Sequence, residues 1–532
     1  MRVLRGKVGK VVLAAVGIPT ISVAGLSGYV HYRQRTRPPP RVLKPLVDAN
    51  GNLILEGRVV PRPSRVAVCW RLVDLALIFI PVAALYFIMS LRKEWYDRWL
   101  EMLLAAVQRA GPVFVKIGQW SCTREDLFAP EFRNIFKRLY NEVDVHSYED
   151  TLRILGEELR CDPLTVFESV QRETVGSGSI GQVHLAKLKN SNRKVVVKVM
   201  HPDIIETIVL DFTILDNMAK KVDAWFPHLA RYRLPSLSLA FTTHLAAQLD
   251  FRMEAQNLER FRENFKSERY VEFPEPLMST QRMLVETFCE GEPANPEFLA
   301  SLPPHARDVL ANKGLNTWCK MLLRDNFIHG DMHPGNILID CTSDPHEPTV
   351  TMIDVGLCQQ LTEHEGAVTH DLMESFVRWN SNQCADSLFA MSDSQPYADA
   401  DLFRRDLADL FKHFRPTRND ENAVTNILQS VFESIRQNNV QMDPAYVSLL
   451  FAVLVLESFI MNLNPDFNMV RHTAPWLVSE GHLSKGVVKN LIKTKIDNLK
   501  RTYGIVSGRM EDDLRQELQD KTTNWWISGS AW

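Results

Sequence analysis

The sequence predicts a two-lobed α+β fold, with a helical extension before the first lobe and a helix-rich second lobe. Three observations carry this. The glycine-rich turn Gly176-Ser177-Gly178-Ser179-Ile180-Gly181 leads into β-branched strand sequence, not into a helix. From residue 300 the apolar spacing is helical, broken only by two short apolar pieces, Asn336–Ile339 and Val350–Ile353. At 532 residues the chain exceeds one ordinary core, so two lobes plus extensions are required.

Composition sets further bounds. An apolar content of 45% and a charged content of 23% exclude a largely disordered chain. The net charge of −3 supplies no general field for nucleic acid, and no nucleic-acid partner is expected. Eight cysteines are scattered without any Cys-x-x-Cys, which excludes a zinc ribbon and a dense disulfide framework.

The elements follow in order. Residues 1–65 read as targeting sequence, first membrane segment and linker. No Asp or Glu precedes Asp48, whereas Arg2, Arg5, Lys7, Lys10, Arg33, Arg35 and Arg37 do, as in a mitochondrial targeting segment. The charge-free run Val11 to Val30 is just long enough to span a bilayer. Ser22-Val23-Ala24 also fits a secretory cleavage site; the flanking arginines and the scattered cysteines favour mitochondria. Residues 66–104 hold a second apolar run, Leu75 to Leu91, and an amphipathic stretch with Trp95, Trp99, Leu100, Leu103 and Leu104. That run is near the lower limit for spanning, so it is either membrane-associated or a buried helix. Membrane lipids are the expected contact of at least one run. Residues 105–170 form the helical extension, with Asp150 and Asp162 as caps or turns. Residues 171–292 form the smaller lobe: a hairpin over 174–200 turning at Asn190-Ser191-Asn192, inserted helices over 203–265, and a strand from Met283 to Phe288. Residues 293–465 form the larger lobe, with Val447 to Leu456 as a core helix, and 466–532 a helical tail ending in Trp525, Trp526 and Trp532.

The segment His329-Gly330-Asp331-Met332-His333-Pro334-Gly335-Asn336, with Asp354-Val355-Gly356 downstream, carries the residue types of phosphoryl transfer. Asp331 is the candidate catalytic residue, to orient or deprotonate a nucleophile. Asn336 and Asp354 are candidate Mg²⁺ ligands, both hard oxygen donors. His329 and His333 stand four apart, but Pro334-Gly335 breaks a helix there and no Glu lies between them, which argues against zinc. Glycines let backbone approach phosphates and point N–H groups at them. Gly176, Ser177, Gly178, Ser179 and Gly181 are therefore the candidate flap over ATP or ADP, with Val183 covering the adenine. Lys198, bracketed by apolar strand residues, is the candidate phosphate contact, and Glu254 its candidate carboxylate partner. Glu286 and Cys289 bound the candidate adenine-contacting hinge.

Together these segments resemble the UbiB, or aarF-domain, family of atypical kinases over about residues 105–465. Lys116-Ile117-Gly118-Gln119, followed by Thr123 to Phe128, resembles the family's KxGQ motif, which ordinary kinases lack; the wording here and around Gln248 is most similar to a mitochondrial branch. The resemblance implies a protein-kinase-like fold and an ATP-dependent kinase or ATPase at the mitochondrial inner membrane, supporting coenzyme Q or lipid metabolism alongside coenzyme Q biosynthesis proteins. The alternative is a nucleotide-binding pseudokinase-type scaffold that regulates a membrane complex. The resemblance also gives Lys116, Gly118, Gln119, Asp250 and Glu254 regulatory roles. It packs the KxGQ helix across the site, which favours a lipid-linked or small-molecule substrate over a protein. The chain departs from the pattern twice. Glycines stand where members often carry an alanine-rich loop, and Gln248-Leu249-Asp250 replaces the family's ExD, so that Lys116 is expected to lean on Asp250 or Glu254.

Overall fold

The computed structural model describes residues 54–479, except 56–57, 124–128, 141–144, 190, 227–233, 269, 333, 343, 345–346, 393, 415–422, 466 and 468. The basic N-terminus, the run at 11–30, His333 and the aromatic C-terminus lie outside the described residues.

Helix α1 (Arg65–Met89) starts at Ser64, whose hydroxyl caps the Ala67 N–H. It is long and apolar enough to cross a membrane. One side is exposed along its length through Val66, Trp70, Val73, Leu77, Ile80 and Phe87. The other side packs through Leu75, Ile78 and Val82 against α2 (Lys93–Ala110). In α2 the buried residues Leu100, Leu104 and Val107 recur at helical spacing, and Trp99 donates its indole N–H to Val82 O at 2.7 Å. Next come α3 (Pro112–Thr123), which carries the KxGQ residues, α4 (Pro130–Phe136) and α5 (Tyr148–Leu159). In α3, a Cβ on Gly118 would overlap the Leu139 side chain and stand 3.2 Å from Phe136. Only glycine lets this helix lie so close to the chain that follows it, and Gln119 closes the contact by donating to Leu139 O at 2.8 Å.

The smaller lobe is built on strands β1 (Phe167–Ser177), β2 (Gly181–Leu188) and β3 (Lys194–Met200), then β4 (Pro276–Ser279) and β5 (Met283–Thr287). They form one antiparallel sheet in the order β1-β2-β3-β5-β4. Strand β3 shows how sequence sets the faces. Val195, Val197 and Val199 are fully buried against Ile154 and Leu155 of α5 and against Met283 and Val285. Each contributes roughly 1.5–3 kcal/mol by burial. Val196 and Lys198 then point to the opposite side, in register with Leu185 and Val183 on β2 and with Glu286 and Leu284 on β5. Strand β1 begins at Phe167, earlier than the expected hairpin, because only Phe167 and Val170 enter the core while the polar residues around them face water.

Helices α6 (Ile204–Trp225) and α7 (Leu234–Ala246) lead to α8 (Phe251–Asn264), whose Glu254, Leu258 and Phe261 share a buried stripe. Asp211 of α6 is fully buried. It holds Arg71 of α1 through two bonds of 2.8 and 3.0 Å, while the same guanidinium also donates to Ala110 O. The apolar helix is thus fastened to the body of the protein.

The larger lobe holds α9 (Pro304–Cys319), the antiparallel pair β6 (Ile337–Asp340) and β7 (Thr349–Met352), and helices α10 (Glu363–Arg378), α11 (Ser381–Phe389), α12 (Ala400–His413), α13 (Ala423–Gln437), α14 (Pro444–Leu463) and α15 (Met469–Ser479). The run at 447–456 lies inside α14. Leu456, Phe459 and Ile460 there join Leu310 and Leu315 of α9 in the largest core, which extends to Leu258 and Phe261 of α8 and so unites the lobes. The architecture is the two-lobed, kinase-like α+β fold that the sequence predicts.

Candidate active site

Lys198 is the hub. Its ammonium donates to both Glu254 oxygens at 2.8 and 2.9 Å and to Asp354 Oδ2 at 3.2 Å. Strand β3 aims it away from the valine core, and α8 brings Glu254 across from 56 residues downstream. The Glu254 side chain is 4% exposed, whereas that of Asp354 is 41% exposed and open to a ligand. Burial opposes the Lys198 charge, but Asp354 and Glu254 outweigh it and raise its pKa. Burial likewise pushes Glu254 up, against the pull of Lys198. At Asp354 burial acts upward too, yet Lys198, the Gly356 N–H and the charge of Lys116 outweigh it and hold the carboxyl below the usual range. Asp354 is therefore held in its ionised form, the form a cation would require.

The segment bearing Asp331 is cross-bonded to the one bearing Asp354. Gly330 N–H donates to Leu357 O at 2.8 Å, and Ile353 N–H to Asn336 O at 3.1 Å. Ile328 and His329 pair with Gln359 and Cys358. Asp331 N–H donates to His329 Nδ1 at 3.1 Å, and Asn336 Nδ2 to Asp331 O at 3.0 Å. With its amide nitrogen so engaged, Asn336 keeps its side-chain oxygen as an available acceptor. Among the described residues no group of three or more His, Cys, Asp or Glu could hold a metal. The donor set of Asn336 and Asp354 fits Mg²⁺, which keeps water and phosphate in its remaining positions. Sequence reasoning did not single out Asn257, which is buried and donates to Val355 O at 2.9 Å. Its signal was the three-residue spacing from Glu254 on one helix face.

The glycine turn closes β1 onto β2, with Gly176 opposite Val183 and Gly178 N–H bonded to Gly181 O at 2.9 Å. Gly181 is required by packing, since a Cβ would stand 2.5 Å from Val199 O. Gly176 would meet nothing within 4 Å and Gly178 only an ordinary contact, so the protein itself does not demand them. Space left open there suits the close approach of a ligand. Ser179 lies buried with its hydroxyl unpartnered, a further donor in the turn. Val183 shares a face with Lys198.

Comparison with known proteins bears on this arrangement. Residues 138–388 match the family described as the ABC1 atypical kinase-like domain. A mitochondrial ABC1 family protein of Saccharomyces cerevisiae is 26% identical over 508 residues, covering 80% of this chain and 76% of its own. One from Schizosaccharomyces pombe is 25% identical, covering 78% and 70%. UbiB of Sodalis glossinidius is 28% identical, covering 71% and 69%. Residues 138–388 form an ABC1/UbiB atypical kinase-like domain.

The ABC1-type domain includes the flap, Lys198, Glu254, Asp331, Asn336 and Asp354, whereas Lys116 to Gln119 precede the matched range. Lys116 differs from expectation. Asp250 is occupied locally: it caps α8 by accepting from Arg252 N–H at 3.1 Å and pairs with the Arg252 guanidinium at 2.8 and 2.6 Å. Glu254 is occupied by Lys198. The charge of Lys116 acts instead on Asp354. An arginine two residues away reaches Asp250 with little ordering cost, which a distant lysine cannot match. Glu286 also differs. It is a strand residue of β5 whose side chain shares the Lys198 face, 5% exposed, with Oε2 unpartnered. Burial, with Glu254 nearby, pushes its carboxyl well above the ordinary range. Cys289 is half-buried, its thiol turned to Thr287 O at 3.7 Å and pushed up to about 11 by burial.

Proposed function

We propose that this chain is a Mg²⁺-dependent ATP-using phosphotransferase or ATPase at the mitochondrial inner membrane, supporting coenzyme Q or lipid metabolism. The observation that carries the reading is Lys198 bridging Glu254 and Asp354 behind a flap whose open glycines the protein does not need. Lys198 would position the α- and β-phosphates, held in place by Glu254. Asn336 and Asp354 would hold Mg²⁺, which supplies neutralisation of phosphate charge when bound. Asp331, fixed by the bonds around its backbone, would orient an acceptor hydroxyl or water; in phosphoryl transfer such positioning is most of the catalysis. Val183 would cover the adenine, with Cys289 at the candidate hinge that follows β5. The charge of Lys116 on Asp354 supports a KxGQ helix facing the acceptor side, and so a lipid-linked or small-molecule acceptor. The mitochondrial names of the two fungal relatives support the location.

The test is Mg²⁺-dependent ATP turnover by the full chain in detergent. Asp331→Asn and Asp354→Ala should each lower turnover by at least about 100-fold, within the range for losing an oriented nucleophile or charge stabilisation. Turnover unchanged in both variants refutes the assignment. A second reading, a nucleotide-binding scaffold, draws on the Lys198 contact to Asp354, which competes with a metal for that carboxylate. It gains if wild type binds ATP yet turns over no faster than the variants.

A further inference from the structure

A chain of hydrogen bonds ties the flap to the segment that leads from the helical extension into the sheet. His201 Nε2 lies 2.9 Å from Gly178 O, and His201 Nδ1 lies 2.7 Å from His146 Nδ1. His146 Nε2 lies 3.0 Å from the Thr151 hydroxyl. His184 Nδ1 lies 2.8 Å from Gln171 O, and its Nε2 lies 2.9 Å from Gln182 Nε2. Gln182 is itself oriented, accepting from His146 N–H at 2.9 Å and donating to His146 O at 3.2 Å. Thr151, Gln182 and His184 are almost completely buried.

The directions follow from the two ends. Carbonyl oxygens only accept, so His201 donates from Nε2 and His184 from Nδ1. A neutral His201 then has a bare Nδ1, and the proton between the two rings belongs to His146 Nδ1. His146 Nε2 is bare in turn and accepts from the Thr151 hydroxyl. His184 Nε2 is bare and accepts from the Gln182 amide. With His201 neutral, each ring thus has one tautomer. Burial, reinforced by His201 and His184, holds His146 down at about 4, so it is neutral at physiological pH.

We propose that His201, oriented by His146, is the positioning residue that holds the flap in its phosphate-binding turn. His201 grips the flap twice, through its ring at Gly178 O and through its own N–H at Ile180 O, 2.9 Å away. In a planar trans peptide the C=O and N–H point in opposite directions. Fixing Gly178 O on His201 therefore fixes the direction of the Ser179 N–H. His146 sits just before Ser147, the N-cap of α5, so the arrangement also links the flap to the chain that follows the KxGQ helix.

This rests on the nucleotide-binding reading above, and the experiment separates the two. Dissociation constants for ATP and for adenosine are measured on the full chain in detergent, for wild type, His201→Ala and His201→Gln. The alanine variant should weaken ATP about tenfold, the effect of one net hydrogen bond, and leave adenosine unchanged. The glutamine variant, whose amide nitrogen replaces Nε2, should restore most of the ATP affinity. Nitrogen-15 NMR of labelled histidines should show the Nε2–H tautomer at His201 and the Nδ1–H tautomer at His146. Equal loss for ATP and adenosine means a merely structural role and overturns the proposal, as does unchanged ATP binding in His201→Ala or an Nδ1–H tautomer at His201. Wild type that binds neither ligand overturns the nucleotide reading and this proposal with it. Wild type that binds both, with His201→Ala indistinguishable from it, overturns this proposal alone.

Discussion

Arg71→Ala should be among the most destabilising single changes in the extension. The guanidinium is 15% exposed and its partner Asp211 not at all, so truncation leaves a buried carboxylate without its cation. Breaking a buried pair from one side costs about 3–5 kcal/mol. The lower end, about 3 kcal/mol, applies here, because Arg71 is itself partly exposed, so that water can follow its truncation. The neighbouring Asp74 contact, at a side chain 51% exposed, adds at most about 1 kcal/mol. Urea unfolding of the full chain in detergent, followed by tryptophan fluorescence, reads the loss. The slope is about 3 kcal/mol/M or more for a chain of this length, so the midpoint should fall by up to about 1 M. The control is Arg71→Met combined with Asp211→Leu, which removes both charges and should return to within about 1 kcal/mol of wild type. A loss below about 1 kcal/mol in the single variant, or a double variant as unstable as the single, would refute the reasoning.

Two further outcomes are expected. Gly118→Ala places a methyl group into Leu139 and should lower stability by about 1–3 kcal/mol, visible as a fall in the thermal midpoint; an unchanged midpoint would mean α3 can move away freely. His146, faced by His201, His184, Asp150 and Arg153, is held at about 4, while an unfolded histidine titrates near 6.5. Between those values the unfolded state binds the extra proton, so the His146 contribution to stability should be constant above about pH 6.5, fall as pH drops toward 4 and level off below that. His146→Gln should flatten this slope relative to wild type in urea midpoints taken from pH 7 to pH 4, and parallel curves would count against the assignment.

What could be read from the sequence was whatever depends on short spacing. The alternation in Val195–Val199 fixed which way Lys198 points, and the five-residue interval from Asp331 to Asn336 placed both on one loop. The partnerships between distant residues were hidden. Arg71 and Asp211 are 140 residues apart and His146 and His201 are 55 apart, and no periodicity links such pairs. Strand β1 was recognised only in part, because a sheet edge that buries Phe167 and Val170 alone shows little alternation. Asp250 was the reverse case. Its arginine stands two residues away, a spacing legible in the sequence, whereas the family resemblance implies Lys116 as the partner.

The bond between Arg71 and Asp211 also bears on how a soluble fragment should be cut. Shedding the apolar α1 by starting the chain after Met89 removes exposed Trp70, Leu77, Ile80 and Phe87, which improves handling in water. The same cut deletes Arg71 and strands Asp211 inside α6. A fragment begun there should carry Asp211→Leu, so that loss of the anchor does not pass for loss of nucleotide binding.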